Sequence, residues 1–202
     1  MPGGKLNLMA AALALAVSSA LRAPVRGSVR GSVRCLAEAD FSKMDLRVGT
    51  IVDAWDHPDS EKLIVEEIEV GEEAPRQIVS GLRAFYAAGD IVGKRCVVVA
   101  NLPKAKLGGV ESAGMVLCGS EGDKAKVEIL EPPAGAEDGE RATVDGADGA
   151  AATPNQVKKK KFWPPVAEQL KLVGGVATFD GAVIETSEGP CTCATIADGP
   201  IS

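Results

Sequence analysis

Residues 46–70 constrain the fold most. Leu46, Val48, Thr50, Val52 and Ala54 alternate with Arg47, Gly49, Ile51, Asp53 and Trp55, and a period of two specifies a strand. The segment Asp56-His57-Pro58-Asp59-Ser60 reads as a turn, since proline sets φ and Asp and Ser bond locally. The next strand runs from Lys62 to Val70. Its apolar set, Leu63 and Val65 and then Ile68 and Val70, slips phase at Glu66-Glu67. The slip reads as a β-bulge, the device that bends a strand around a small barrel. A third strand follows at Gln77–Ser80, then a short helix over Leu82–Ala88 ending at Gly89. Further strands are expected at Cys96–Ala100, Met115–Cys118 and Lys126–Leu130. Three strands, one short helix and two more strands is the order of an OB-fold. This is an all-β, five-stranded, partly open barrel that binds ligands on strands two and three and on the loops joining one to two and four to five. Those loops are 56–60 and 101–111 here.

The second of these loops also stands out by its chemistry. Between the apolar runs Cys96–Ala100 and Met115–Cys118 lie Asn101, Pro103, Lys104, Lys106 and the pair Gly108-Gly109, with Ser112 at the exit and no acid before Glu111. Two strands joined by a Gly/Pro-rich segment read as a hairpin with a long loop. Long ordered loops on a rigid sheet usually carry function. Beyond Glu131 the composition turns rich in Ala, Gly, Asp and Glu, which reads as a loosely packed surface connection. Four consecutive lysines, Lys158–Lys161, come next. A helix over Val166–Leu172, a hairpin of Val176–Phe179 and Ala182–Ile184 about Asp180-Gly181, and a last strand at Cys193–Ile196 complete a small α/β appendage.

The first 37 residues are unlike the rest. They hold Lys5, Arg22, Arg26, Arg30 and Arg34 and no acid, with an Ala-rich apolar run over Leu6–Leu21 and the near-repeat VRGSVRGS. That is the composition of a cleavable organelle-targeting leader, and the apolar run is short for a membrane span. A two-part plastid leader is the first reading, and a simple chloroplast or mitochondrial transit peptide competes with it. Removing the leader's five basic residues from the chain's 22 leaves 17 against 28 acidic residues, a net of −11. A nonspecific nucleic-acid binder is basic overall, so any RNA role rests on a local cationic patch. No P-loop, G-x-G-x-x-G or G-x-S-x-G motif is present. His57 is the only histidine, so Cys191-x-Cys193 has no second pair to complete a metal site. The sequence therefore implies no catalysis, no metal and no cofactor. The seven aromatic residues form no interleaved stacking platform, and only Trp55, beside the first loop, is placed to stack on a base.

Five segments in order, DLRVGTI (45–51), HPDSEKLIVEEIEVG (57–71), RQIVSGL (76–82), NLPKAKLGGVESAGMVL (101–117) and ILEPP (129–133), together resemble the tRNA-binding domain family. That domain occurs in a bacterial tRNA-binding protein, in methionyl-tRNA synthetases, and in auxiliary factors of the endothelial monocyte-activating polypeptide II type. The tail from KKKKFWPPVAEQL onward is similar to the extension of the last type, which packs on the barrel and imitates the second subunit of the bacterial dimer. With the leader expected over 1–37 from its composition, the resemblance implies a tRNA-binding OB-fold over 38–133 and a linker with a pseudo-dimer-like extension over 134–202. It implies a noncatalytic protein that binds structured tRNA with little sequence preference and delivers it to an aminoacyl-tRNA synthetase. It also implies a monomer that is not membrane-bound once the leader is gone. The family's RNA-contacting motif falls on Asn101, Lys104, Lys106, Ser112 and Met115. Arg47, Trp55, His57 and Lys62 join the RNA-binding set, with Lys158, Lys159, Lys160 and Lys161 as an auxiliary contact. Three positions depart from the family pattern. Pro103-Lys104 stands for Lys-Pro, Leu107-Gly108-Gly109 stands for Met-Arg-Gly and so lacks one cation, and Ile64 stands for Tyr. The competing reading is a protein-docking module of a synthetase complex with incidental RNA contact.

Overall fold

The computed structural model describes residues 41–145 and 149–202; the leader expected over 1–37 lies outside them. β1 (Leu46–Asp56), β2 (Ile64–Glu69) and β3 (Arg76–Ser80) form an antiparallel meander. One helical turn, α1 (Ala88–Ile91), leads to β4 (Arg95–Val99), which returns beside β1. A small hairpin, β5 (Ala105–Leu107) with β6 (Val110–Ser112), precedes β7 (Met115–Val116). β8 (Cys118–Ser120) pairs with β9 (Val127–Ile129). The main sheet runs β3-β2-β1-β4-β7 and curls into a nearly closed five-stranded antiparallel barrel, the expected OB architecture.

The phase slip is resolved differently from expectation. β2 pairs with β3 in unbroken register from Ile64↔Ser80 to Ile68↔Arg76, so β2 carries no bulge. The irregularity lies on β1, between Ile51 and Asp53. β2 keeps its phase by turning Glu66 inward with Ile64 and Ile68, and Glu66 is fully buried. A carboxylate on the core side of a strand breaks the apolar pattern without breaking the ladder. The short helix also moves. Leu82–Tyr86 turns on itself, with the Phe85 and Tyr86 N–H groups both reaching the Leu82 carbonyl (2.8 and 3.0 Å). The helix begins only at Ala88, and Gly89 lies inside it. Leu82 and Ile91 both plug the barrel interior, and these two anchors set the path between them.

Two cores share the barrel wall. The interior holds Ile51, Ile64, Ile68, Ile78, Cys96 and Val98. The alternate residues Leu46, Val97, Val99, Leu117 and Leu130 point outward into a second core with Val166, Leu170, Phe179, Ile184 and Ile201. The run CVVVA at 96–100 is continuously apolar because β4 is buried on both faces.

The second core belongs to the C-terminal extension. Thr153 caps α2 (Pro154–Lys160) in a capping box with Gln156. α3 (Trp163–Gln169) carries Pro164 and Pro165 in its first turn, where no N–H is needed. The helix expected over Val166–Leu172 ends at Gln169, because β11 (Leu170–Val173) enters a sheet there. With β10 (Thr143–Val144), β12 (Val176–Phe179), β13 (Ala182–Thr186), β14 (Gly189–Pro190) and β15 (Gly199–Pro200), β11 builds a sheet in the order β10-β13-β12-β11-β15, with β14 against β13. Cys193–Ile196 is not a strand; Cys193 and Ile196 are buried, and the last strand is β15.

The segment expected to be loosely packed is hydrogen-bonded over 139–144. The Gly139 N–H reaches the Val48 carbonyl (2.8 Å), the Ala142 N–H reaches that of Leu46 (2.9 Å), and β10 joins β13. Arg141 donates to the carbonyls of Ser42, Met44 and Gly149. At the far end, Ser202 and Cys118 exchange both backbone hydrogen bonds at 2.9 Å, so the extension also seals the edge of β8.

Candidate nucleic-acid interface

The 101–112 loop is not a plain loop. β5 and β6 pair Ala105 with Ser112, Lys106 with Glu111 and Leu107 with Val110. Gly108 and Gly109 turn the corner at φ 58° and 93°, the positive values that a tight primed turn needs. Three contacts fix this hairpin across the barrel seam. The Ala113 N–H donates to the Gln77 carbonyl (2.9 Å). Gln77 Nε2 donates to the Glu111 carbonyl (2.6 Å). Ser112 Oγ accepts from the Val79 N–H (3.0 Å) and donates to the Gly114 carbonyl (3.1 Å). Arg76, which the sequence did not single out, donates to the carbonyls of Ala100 and Ala113 and holds both ends of the loop.

His57 pins the hairpin from the other side. Its Nδ1 accepts from the Asp59 N–H (3.0 Å), so its Nε2 carries the proton that it gives to the Leu107 carbonyl (3.1 Å). The ring is buried, with 2% exposure, and packs so closely that a Cβ on Gly108 would lie 2.6 Å from Cε1. The missing cation at 108 thus has a steric cause: with this histidine in place only glycine fits. Arg83 fixes the first loop by donating to the Ser60 carbonyl (2.6 Å) and to Asp56 Oδ2 (2.8 Å).

The expected site residues separate into two groups. Asn101, Ser112 and His57 are buried, and their hydrogen bonds serve the protein itself. Asn101 Oδ1 accepts from the Asp45 N–H (3.0 Å), and Nδ2 donates to the carbonyls of Lys43 (2.8 Å) and Ala152 (2.9 Å). Lys104, Lys106, Lys62 and Trp55 are exposed, and Met115 is half-buried against the second core. Arg47 is half-buried between Asp45 and Glu72; its hydrogen bond to Asp45 raises its pKa against the opposing effect of burial. Arg47 and Trp55 are eight residues apart on β1, roughly 26 Å along an extended strand, so these nine residues are not one compact patch.

Glu111 modifies the cationic knuckle. Lys104 Nζ lies 2.8 Å from Glu111 Oε1, and Lys106 faces Glu111 across the hairpin. The hydrogen bond from Lys104, with help from the charge of Lys106, holds the Glu111 carboxyl below its ordinary range. The hairpin therefore presents two cations and one anion. Lys158–Lys160 occupy the last turn of α2 and Lys161 its left-handed cap (φ 51°). All four are exposed, and the helix C-terminus favours their charge. Trp163, two residues further on, borders the same cavity as Leu107 and Met115. The lysine run and the hairpin therefore share one side of the molecule, a proximity with no signal in the linear sequence.

Among the described residues, no group of three or more His, Cys, Asp or Glu side chains could hold a metal. Cys191 and Cys193 are buried, which pushes their thiols up to about 12 and about 11 and keeps them protonated at neutral pH. No helix among the described residues is long and apolar enough to cross a membrane.

Residues 46–141 match the family model of a tRNA binding domain. The chain is 41% identical over 164 residues to aminoacyl tRNA synthase complex-interacting multifunctional protein 1 of Mus musculus, covering 80% of this chain and 52% of that protein. It is 38% identical over 167 residues to cytoplasmic tyrosine--tRNA ligase of Xenopus tropicalis, covering 82% of this chain and 32% of the ligase. The chain thus spans about a third to a half of the length of these relatives. The crystal structure of the C-terminal domain of Plasmodium vivax p43 superposes with a TM-score of 0.72 at 34% identity, covering 80% of this chain and 98% of that one. A barrel of this strand order, a hairpin within the residues that the family model matches and an extension matched along with the barrel agree with one another: the chain belongs to the tRNA-binding domain family, in the form that carries a C-terminal extension.

Proposed function

We propose that this chain is a noncatalytic tRNA-binding protein that holds structured tRNA with little sequence preference and brings it to an aminoacyl-tRNA synthetase. The observation that carries the reading is the β5–β6 hairpin. Its lysines are exposed, while the residues beneath them are buried and fully hydrogen-bonded. Such a hairpin offers phosphates two preplaced cations at little ordering cost. Asn101, Ser112 and His57 act through position, and Lys104 and Lys106 make the contact. Lys158–Lys161 extend the cationic side and compensate for the absent charge at Gly108. Synthetase-associated relatives of this domain support a synthetase as partner.

Lys104→Ala with Lys106→Ala is expected to weaken tRNA binding and to change stability by less than about 0.5 kcal/mol, since both side chains are exposed. The slope of log K against log salt should fall by about 1.4–1.8, the counterion release of two phosphate contacts. Glu111→Gln should act in the opposite sense by freeing both lysines. A filter-binding series across salt reads both variants. Unchanged affinity and slope in the double variant would favour the protein-docking reading.

We further propose that residues 1–37 direct the protein to an organelle, a plastid ahead of a mitochondrion, and are then removed. The mature chain would be a monomer, because the extension already occupies the outer face of the barrel. Protein isolated from the organelle should begin between about Leu21 and Ala39 and should scatter light as a single chain. An intact Met1 rejects the leader, and a stable dimer rejects the pseudo-dimer reading.

A further inference from the structure

A cavity of about 410 Å³ opens between the barrel and the extension, within the roughly 300–1,000 Å³ range of small-ligand sites. Two aromatic rings border it, Phe85 after β3 and Trp163 on α3. Phe85 is 38% exposed, so its ring surface is available. Three serines border it as well, Ser80, Ser120 and Ser202, and the first two have used their hydroxyl hydrogens. Ser80 Oγ donates to Glu66 Oε1, and Ser120 Oγ donates to the Pro200 carbonyl (3.4 Å). Each therefore turns only acceptor lone pairs toward the cavity. Behind Ser80, Glu66 is fully buried and its Oε2 has no hydrogen-bond partner. At the rim stands Lys124, exposed and held at φ 57°. Met115 and Leu107, the neighbour of Lys106, also border the cavity, so it is continuous with the cationic hairpin.

Aromatic surface, a wall of acceptors and a cation at the mouth complement a nucleotide whose base carries N–H donors. An apolar peptide side chain would leave the acceptors unpaired. We propose that the cavity takes one unpaired nucleobase with an exocyclic amino group, its faces against Phe85 and Trp163, its amino group toward Ser80 and its phosphate at Lys124. This rests on the tRNA-binding reading and deepens it, since the extension would then contribute to RNA binding. Uracil keeps a ring N3–H but has a carbonyl oxygen in place of the amino group, so at that position it would face acceptor with acceptor.

The test uses the mature chain carrying Trp55→Phe, which leaves Trp163 as its only tryptophan. AMP and CMP should quench Trp163 emission saturably and bind about tenfold tighter than UMP. Phe85→Ala removes an exposed ring without opening the core. It should weaken tRNA binding roughly five- to tenfold, within the range of one lost stacking contact, and leave the salt slope unchanged. No saturable quenching, or equal quenching by AMP and UMP, overturns the proposal. Unchanged tRNA affinity in Phe85→Ala also overturns it. Lys104 and Lys106 do not border the cavity, so the double lysine variant should bind AMP like its parent. If that variant loses tRNA while AMP never quenches, the cavity assignment alone is wrong. If tRNA binding is unaffected by the lysines while AMP binds, the hairpin assignment alone is wrong.

Discussion

From pH 5 to pH 8 the protein is expected to lose about 2–3 kcal/mol of stability, because one carboxyl group titrates inside the barrel. Glu66 points into the interior among Ile64, Ile68, Ile78 and Val98. Burial pushes its carboxyl up to about 7, and the hydrogen bond from Ser80 opposes this only in part. The neighbouring Cys96 and Cys118 thiols are themselves raised by burial and supply no counter-charge. In the unfolded chain the group has its ordinary value near 4.5. Between about 4.5 and 7 the folded state therefore holds a proton that the unfolded state has released. Stability from the neutral form is complete below that window, falls as pH rises through it, and is level above it. The carboxylates held low, Glu111, Glu128 and Glu140, act below their ordinary values and leave this window clear. Glu66→Gln keeps an acceptor for Ser80 and cannot ionise. Its stability should change by less than about 1 kcal/mol across the same range, and it should be the more stable protein at pH 8 by about 1–2 kcal/mol, after allowance for an amide N–H₂ in an apolar site. Urea melts of both proteins at several pH values decide the matter. Parallel pH profiles would show that Glu66 does not titrate as described.

Asn101→Ala should destabilise the fold by about 2–4 kcal/mol while leaving the salt dependence of tRNA binding unchanged. The side chain is 5% exposed and makes three hydrogen bonds to backbone groups of Asp45, Lys43 and Ala152. These join the end of β4 to the turn before β1 and to the segment before α2. Alanine strands the Asp45 N–H and the Ala152 carbonyl, while the Lys43 carbonyl keeps its bond from the Ala152 N–H, and a polar group left unpaired in a buried site costs about 1–3 kcal/mol before relaxation. The barrel then loses part of its hold on the extension and on the base of the hairpin. Binding should weaken at temperatures where the variant begins to melt and recover on cooling. A variant of near parental stability that still binds tRNA poorly in the cold would make Asn101 a direct RNA contact instead of a support. The contrast with Lys104 and Lys106 is the informative part. Removing exposed cations should alter the salt slope and not the melt, whereas removing the buried amide should do the reverse.

Much of this architecture was legible in the linear chain, since alternation at 46–55, Gly and Pro between apolar runs, and Asp180-Gly181 between two short strands are local signals. Backbone sterics and side-chain period act over a few residues, so they can be read over a few residues. The position of the loop cations was legible for the same reason. The hairpin inside 101–112 was missed because its strands are three residues long and mostly exposed, so no apolar periodicity marks them.

Other features depend on what packs against a strand from elsewhere in the chain. Glu66 reads as a surface residue until the ladder with β3 shows that it faces inward. Asn101 and Ser112 read as loop chemistry until the backbone groups that occupy them come into place. Gly108 reads as a lost cation until His57 is found against it. Trp163 is 56 residues from Leu107, yet both border one cavity. The sequence by itself determined most of the barrel strands, their succession along the chain and the charged tip of the loop, because these follow from short-range periodicity and turn chemistry. Only the tertiary structure decided which polar side chains are left exposed and which hold the barrel shut, because burial and hydrogen-bond partners are set by segments distant in the chain.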